Sequence, residues 1–210
     1  PYTLSLHDAL PICVQAVGFD LDALRLGKLK ATQLRVRMPD GTWIDTEQVD
    51  RLPAALELAQ LLADDDQAVL LHVALPLEQA NGNNCLFEGG RADRPMRYCQ
   101  SWREVQDLYA DEVQSIGVLE HALSLRLQRD DNADYMTCPV ARLVRDGQGA
   151  WSLDPAYVPP LLSFAAHPGL LNQLDNLLTQ LSAKRQRLMG MRRESNQRID
   201  RKRTRLNCSH

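Results

Sequence analysis

The stretch "YVPPLLSFAAHPGLLNQLDNLLTQL", residues 157–181, changes its hydrophobic pattern halfway along. Its first half is an apolar run interrupted by Pro159 and Pro160, and proline cannot donate the backbone hydrogen bond that a central strand needs. In its second half leucines recur every three or four residues, which is the spacing of an amphipathic helix. This junction therefore predicts that a β-rich region ends and a long helix begins.

The predicted helix starts at Pro168, because proline is favoured at the first helical position, where its missing N–H costs nothing. His167 is then the N-cap residue. The leucines that share one face of this helix are Leu171, Leu174, Leu178, Leu181 and Leu188. Arg185 continues the same alternating spacing. A leucine stripe of this length needs a cover, so we predict that it forms an interface with other copies of the chain or packs against a further helix of the same chain.

Extended segments upstream of the junction predict an antiparallel β-sandwich. Residues 69–75 are a continuous apolar run, which predicts a core strand buried on both faces. The sequence "PDGT" at residues 39–42 combines a proline with a glycine, and it predicts a hairpin between residues 28–38 and the segment that starts at Trp43. "RDGQGAW", residues 145–151, predicts another hairpin.

The other segments are less regular. Residues 52–66 fit either a short helix or an extended crossing segment, while residues 81–95 are rich in Gly, Asn and Arg and predict a surface loop. Three extended segments follow: "RYCQSWREVQDLY", "VQSIGVLEHALSLRLQ" and "YMTCPVARLVRD". Together the patterns predict a fold that is mainly β with a C-terminal α segment. A β-sandwich is expected over residues 13–163, followed by the start of a long helix over residues 164–198.

Both ends of the chain differ from the rest. Residues 1–12, "PYTLSLHDALPI", and residues 199–210 resemble translations of leftover sequencing-adapter DNA, so we interpret both as artificial and leave them out of the fold prediction. Without residues 1–12, which carry one Asp, and residues 201–210, which carry four Arg or Lys, the formal net charge changes from −3 to −6. An acidic body with 5% aromatic residues lacks the basic, aromatic surface typical of nucleic-acid binding.

The composition indicates a soluble globular protein, with 44% hydrophobic and 24% charged residues. Every apolar run is shorter than the roughly 18 residues of a membrane-spanning helix, so no membrane insertion is predicted. Cys85, Cys99 and Cys138 are odd in number and form no C-x-x-C pair, which argues against a disulfide framework and against a zinc site. Reduced thiols are typical of a cytoplasmic protein.

The motifs do not assemble a catalytic, cofactor-binding or metal-ligating set. His72 lies within an apolar strand without an Asp or Cys at ligand spacing, and His121 has no nucleophile in a local signature. The glycines of "NGNN" and "EGGR" do not match a phosphate-binding loop. We therefore expect no enzymatic activity and no cofactor. The alternative is a small-ligand-binding or hydrolytic β-sandwich whose site uses His72 or the glycine loop near Gly89.

Four segments follow one another in an order that is more diagnostic than any one of them alone. They are "LRLGKLKATQLRVRMPDGTWID", "VALPL", "TCPVARLVRDGQGAWSLDPAYVPPLLSFAAHPGLLNQLDNLL" and "RRESNQ". In this order they resemble the TssK family of baseplate subunits from the bacterial type VI secretion system. The resemblance extends from Val14 to Gln197, and one departure is His167, which stands where the family often has serine.

The resemblance implies a structural adaptor that forms homotrimers. A β-sandwich shoulder would bind the TssF and TssG wedge of the baseplate, and a helical neck would join the three copies. A C-terminal head, missing from this fragment, would contact the TssJ, TssL and TssM membrane complex at the cytoplasmic face of the inner membrane. This chain would hold most of the shoulder and the start of the neck.

Overall fold

The computed structural model describes residues 13–207, apart from residues 64, 88, 108, 110 and 162. Residues 13, 168 and 195–207 are described by their backbone alone. The chain divides into two compact units, one ending at Ala166 and the other starting at His167. Residues 1–12 and 208–210, which we interpret as artificial, lie outside the described residues. The domain boundaries given above stay predictions.

The first unit is a β-sandwich. Its described strands are β1 (Cys13–Phe19), β2 (Lys28–Leu29), β3 (Ala31–Arg37), β4 (Trp43–Asp45), β5 (Leu56–Glu57), β6 (Ala68–Pro76), β7 (Cys85–Leu86), β8 (Tyr98–Gln106), β9 (Val113–His121), β10 (Ser124–Leu127), β11 (Tyr135–Arg145) and β12 (Trp151–Leu153). Two short helices, α1 (Leu21–Arg25) and α2 (Leu58–Leu61), lie between strands. The predicted fold class, mainly β with a C-terminal helix, is confirmed.

The described strands form four sheets. Their strand orders are β1-β3-β4, β10-β6-β11-β12, β2-β5 and β7-β8-β9. One described pair departs from the predicted antiparallel arrangement, since β7 and β8 run in parallel. β7 lies within the predicted surface loop at residues 81–95, and a parallel pair needs a connection long enough to bring the chain back to the same end of the sheet. Residues 87–97 provide that connection.

The core of this unit is shared by the β1-β3-β4 sheet and the β10-β6-β11-β12 sheet. β6 is a central strand, paired with β10 on one side and with β11 on the other, and it is buried from Leu71 onward. Leu71 and Val73 of β6 belong to the same buried cluster as Leu34 of β3 and Ile44 of β4. Burial of such a side chain stabilises the fold by about 1.5–3 kcal/mol. The predicted core strand is therefore confirmed.

Both predicted hairpins are present. β3 and β4 are antiparallel, with Arg37 opposite Trp43, and Gly41 in the turn has a φ of 89°. Glycine adopts such a left-handed conformation without the strain that a side chain would add. β11 and β12 form the second hairpin, where Gly149 has a φ of 85°. The two glycines fix the points at which the chain reverses.

Other segments differ from the sequence prediction. Residues 52–66 contain both a two-residue strand, β5, and a single helical turn, α2, because Leu58 and Leu62 pack into the core while residues 59–61 between them stay on the surface. Residues 113–128 form two strands instead of one extended segment. The chain leaves β9 after His121 and enters a different sheet as β10. The sequence analysis assigned no element to the residues of β1 or α1.

The second unit is one helix, α3 (Pro168–Asn207), which begins at the predicted proline. Its 40 residues extend over ~60 Å at the rise of an α-helix. Nδ1 of His167 accepts a hydrogen bond from the Leu170 N–H at 3.2 Å. This bond satisfies one of the N–H groups that every helix leaves unpaired at its start, so the predicted cap is confirmed.

Candidate interaction surfaces

The leucine face of α3 consists of Leu171, Leu174, Leu178, Leu181 and Leu188. The first two are half-buried, whereas Leu178, Leu181 and Leu188 are 52%, 53% and 56% exposed. Spacings of three and four residues place all five on one side of the helix. A contiguous exposed row of leucines is typical of a surface that another protein covers. Their role as an oligomer interface stays a prediction.

The two halves of the leucine face differ in charge. Lys184, Arg185 and Arg192 lie beside Leu181 and Leu188 around a shallow surface hollow of about 500 Å³. Arg185 occupies the position in the row where the spacing would otherwise place a leucine. The first half of the face is therefore apolar, and the second half is both apolar and cationic.

A second exposed apolar surface lies on the ribbon formed by β8 and β9. These strands are antiparallel over nine residue pairs, from Tyr98 opposite His121 to Gln106 opposite Val113. Residues 98–101 at the base of the ribbon are buried or half-buried, but every described residue of β8 from Trp102 onward is exposed. Trp102 itself is 54% exposed. Two strands without a covering layer bury little apolar area, so something other than a hydrophobic core must hold the base in place.

A cluster of charged residues holds the base of the ribbon. The buried Glu120 carboxylate accepts a hydrogen bond from Nη2 of Arg103 at 3.1 Å. Nε of Arg51 lies 2.6 Å from the other Glu120 oxygen, a charge contact without hydrogen-bond angles. Arg103 also donates to the Val49 carbonyl at 2.9 Å. The ribbon is thereby attached to the segment that follows β4.

His121 and Asp50 make the second attachment in this cluster. Nδ1 of His121 lies 2.8 Å from Oδ1 of Asp50, and Oδ2 of Asp50 accepts a hydrogen bond from the Asp45 N–H at 2.9 Å. Burial acts to raise the pKa of Asp50, but the hydrogen bonds from His121 and Asp45 outweigh it and hold that pKa below its ordinary value. Asp50 therefore stays ionised in the folded protein at neutral pH.

Arg97 joins three elements on the other side of the ribbon base. Its side chain is 2% exposed. Nη2 donates to Oδ2 of Asp40 at 2.6 Å and to Oγ1 of Thr42 at 2.7 Å, and Nη1 donates to the Pro76 carbonyl at 3.3 Å. Burial acts to raise the pKa of Asp40, but hydrogen bonds from Thr42 and Arg97 hold it below its ordinary value. The sequence analysis missed this residue, because nothing in its local pattern marks it as buried.

His72 does not form part of a built site. It lies on β6 between Arg126 of β10 and Pro139 of β11, and its Nδ1 has no hydrogen-bond partner among the described residues. Burial lowers the pKa of the imidazole, so the ring is neutral at pH 7. Neither of two shallow cavities in this unit, about 290 and 360 Å³, includes His72 in its lining.

The glycine loop near Gly89 contributes to both of these cavities. Gly90 and Arg94 line the larger one, and Arg94 and Cys99 line the other. Burial raises the pKa of the Cys99 thiol, so the reactive thiolate is disfavoured. Across residues 13–207, as far as the structure describes them, no three His, Cys, Asp or Glu side chains are grouped to hold a metal ion. No described helix is long and apolar enough to cross a membrane.

One protein-family model matches residues 11–206 of the chain. The family is described as "Bacterial Type VI secretion, VC_A0110, EvfL, ImpJ, VasE". A curated relative is the type VI secretion system baseplate component TssK1 of Pseudomonas aeruginosa. It is 32% identical to this chain over an alignment of 200 residues, and the alignment covers 90% of this chain and 44% of the relative.

Solved structures also resemble the chain. A cryo-electron microscopy structure of the type VI TssK-TssF-TssG baseplate subcomplex contains a chain with a TM-score of 0.80 and 46% identity, covering 86% of this chain and 59% of that one. A structure of the type VI baseplate complex contains a chain with a TM-score of 0.81 and 47% identity, covering 89% of this chain and 41% of that one. The chain thus spans about half the length of these relatives.

Proposed function

Since the chain belongs to the bacterial type VI secretion family that includes VasE, we propose that it is a structural subunit of the type VI baseplate without catalytic activity. The leucine face of α3 carries this proposal, because its exposed leucines need a cover and its spacing is that of helices that wind around one another. The cover is the same helix in other copies of the chain. Three copies joined in this way form a trimeric neck.

The neck is tested by placing charges on and off the leucine face. Leu174→Asp together with Leu181→Asp puts two carboxylates into the interface, and the expected result is a monomer in sedimentation-velocity ultracentrifugation. The matched control is Gln173→Asp with Gln180→Asp, which adds the same charges on the exposed side of the helix and leaves the trimer intact.

Two outcomes contradict this part of the proposal. Trimers that persist in the leucine variant would show that the row is not the contact between copies. A wild-type chain that sediments as a monomer at micromolar concentration would refute the trimeric neck itself. The leucine variant and its control are both expected to keep the β-type circular dichroism signal of the wild-type sandwich unit, since the substitutions lie outside that unit.

The sandwich unit is proposed to bind the TssF and TssG subunits. Support comes from the solved TssK-TssF-TssG subcomplex, in which the matching chain is 46% identical. We further propose that a head domain, which the family resemblance implies, contacts the TssJ, TssL and TssM membrane complex, and that the assembly lies at the cytoplasmic face of the inner membrane. The test is binding of the purified chain to the purified TssF–TssG pair of the same bacterium, measured by biolayer interferometry. Lack of binding at micromolar concentration refutes the partner assignment.

A further inference from the structure

We propose that the outer part of the β8–β9 ribbon, described by residues 102–107 and 111–119, docks into an apolar cleft with a basic rim on a partner protein. This inference rests on the proposed function, since it identifies the surface of the sandwich unit that a baseplate partner binds. It adds the chemistry and the shape of the partner's site.

Apolar side chains on both faces of the ribbon require a cleft. Side chains alternate between the two faces of a strand, and residues opposite each other on paired strands share a face. Trp102, Leu119 and Val113 therefore lie on one face, while Val105 and Ile116 lie on the other. All five are exposed. A flat partner surface would cover one face and leave the other in water, whereas a cleft covers both.

The Trp102 side chain lies against backbone on its own face. A methyl group added to Gly117, its opposite residue, would lie 3.5 Å from the indole ring and 2.9 Å from Nε2 of Gln100. Glycine at this position lets the ring lie close to β9. The indole is thereby held by the ribbon while half of it remains available to a partner, which is the usual situation of an interface anchor residue.

The acidic charge of the ribbon indicates which residues the rim of the partner's cleft should carry. The exposed acidic residues are Glu104, Asp107, Asp111 and Glu112. The basic residue of the same segment, Arg103, is occupied by Glu120 and the Val49 carbonyl. Tyr109 at the apex is 97% exposed. Lys and Arg side chains around the cleft complement this acidic ribbon, because opposite charges steer association and like charges across an interface are costly.

The same charge argues against other occupants. Ribbon-to-ribbon contact between two copies of this chain would bring one acidic surface against another, and nucleic acids or anionic lipid surfaces would repel the ribbon. The charged cluster at the base, in which Glu120 binds Arg103 and His121 binds Asp50, fixes the ribbon before any partner arrives. A surface ordered in advance loses less conformational entropy on binding. The occupant that fits is a basic protein cleft.

The experiment measures the affinity of the full chain for the TssF–TssG pair. Trp102→Glu with Ile116→Glu alters both faces of the ribbon, and we expect Kd to rise at least about 30-fold, since central aromatic anchors carry much of the binding energy. Leu21→Glu with Leu26→Glu is the matched control in the same unit, since both leucines are exposed, one in α1 and the other directly after it. It is expected to leave Kd within about twofold, because scattered exposed leucines contribute little.

A second pair of variants tests the rim. Glu104→Lys with Glu112→Lys is expected to lower the association rate at low salt about tenfold and to flatten its dependence on ionic strength. Equal melting temperatures of all variants by circular dichroism establish that each is folded.

The outcomes separate this inference from the proposed function. Wild-type binding combined with ribbon variants that bind as tightly as the α1 control would overturn the docking inference alone. Ribbon variants that change the sedimentation coefficient of the free chain, with unchanged affinity for TssF–TssG, would assign the ribbon to contacts between copies and would also overturn it. Absence of wild-type binding refutes the partner assignment and the docking inference together.

Discussion

Replacing Arg97 by methionine is expected to destabilise the sandwich unit by about 3 kcal/mol. The arginine is buried and makes two short hydrogen bonds, to Asp40 at 2.6 Å and to Thr42 at 2.7 Å. Breaking a buried ion pair on one side costs about 3–5 kcal/mol, since the remaining charge loses its partner. The lower end applies because the Asp40 side chain is 32% exposed and water reaches it. Methionine keeps the apolar stem and so limits the loss of packing.

Urea unfolding of wild type and variant at pH 7 measures this difference, with equal m-values as the sign that the two unfold alike. Arg91→Met, an exposed position in the same loop, is the control and is expected to stay within about 0.5 kcal/mol. The folded-state pKa of Asp40 is depressed, so the pair stabilises the fold above the unfolded-state pKa and loses this effect as pH falls through the folded value. The gap between wild type and variant should therefore shrink below about pH 4. A gap under about 0.5 kcal/mol at pH 7 refutes the reasoning.

Three further predictions concern single contacts. Asp50→Asn is expected to destabilise the fold at pH 7 by about 1–3 kcal/mol, since it removes the charge that His121 faces. Because the folded-state pKa of Asp50 is depressed, the difference in unfolding free energy between wild type and variant should be smaller in urea unfolding at pH 3 than at pH 7. Gly117→Val is expected to displace the Trp102 ring, seen as a change in tryptophan fluorescence that is absent when Trp102→Phe is the background. His167→Ala is expected to reduce helicity at the start of α3, at a cost of about 1 kcal/mol, and His167→Ser to restore it, because serine is a strong N-cap; circular dichroism of the thermal transition checks both.

Local patterns predicted the parts of the fold that depend on local physics. Gly41 and Gly149 occupy turn conformations that exclude most side chains, and Pro168 fits the start of a helix. Both hairpins and the helix could therefore be predicted from the sequence. The central strand was also predictable, since residues buried on both faces need no polar alternation. These are the elements whose position is set by a few adjacent residues.

The parts that could not be predicted depend on contacts distant in sequence. Arg97 reaches Asp40, 57 residues away, and Asp50 reaches His121, 71 residues away. No pattern in single-sequence spacing marks such pairs. The short strand β7 escaped prediction for the same reason, because two residues carry no period and their pairing with β8 is fixed by the loop between them. The spacing of the leucines predicted the leucine face of α3. That three of these leucines are exposed could be seen only in the structure.

The distribution of polar and apolar groups supports a structural role over an enzymatic one. The buried charges of the sandwich unit pair with each other: Arg97 with Asp40, and Glu120 with Arg103. These pairs join separate segments of the sandwich unit to one another. His72, one of the two features on which the catalytic alternative rests, is neutral and lines neither of the two described cavities, whereas the glycine loop near Gly89 borders both. Exposed apolar side chains lie instead on the β8–β9 ribbon and on the leucine face of α3, where another protein can cover them. The buried charges join segments of the sandwich unit, and Trp102 and the leucine face of α3 are exposed. This arrangement supports the proposed role as a structural subunit.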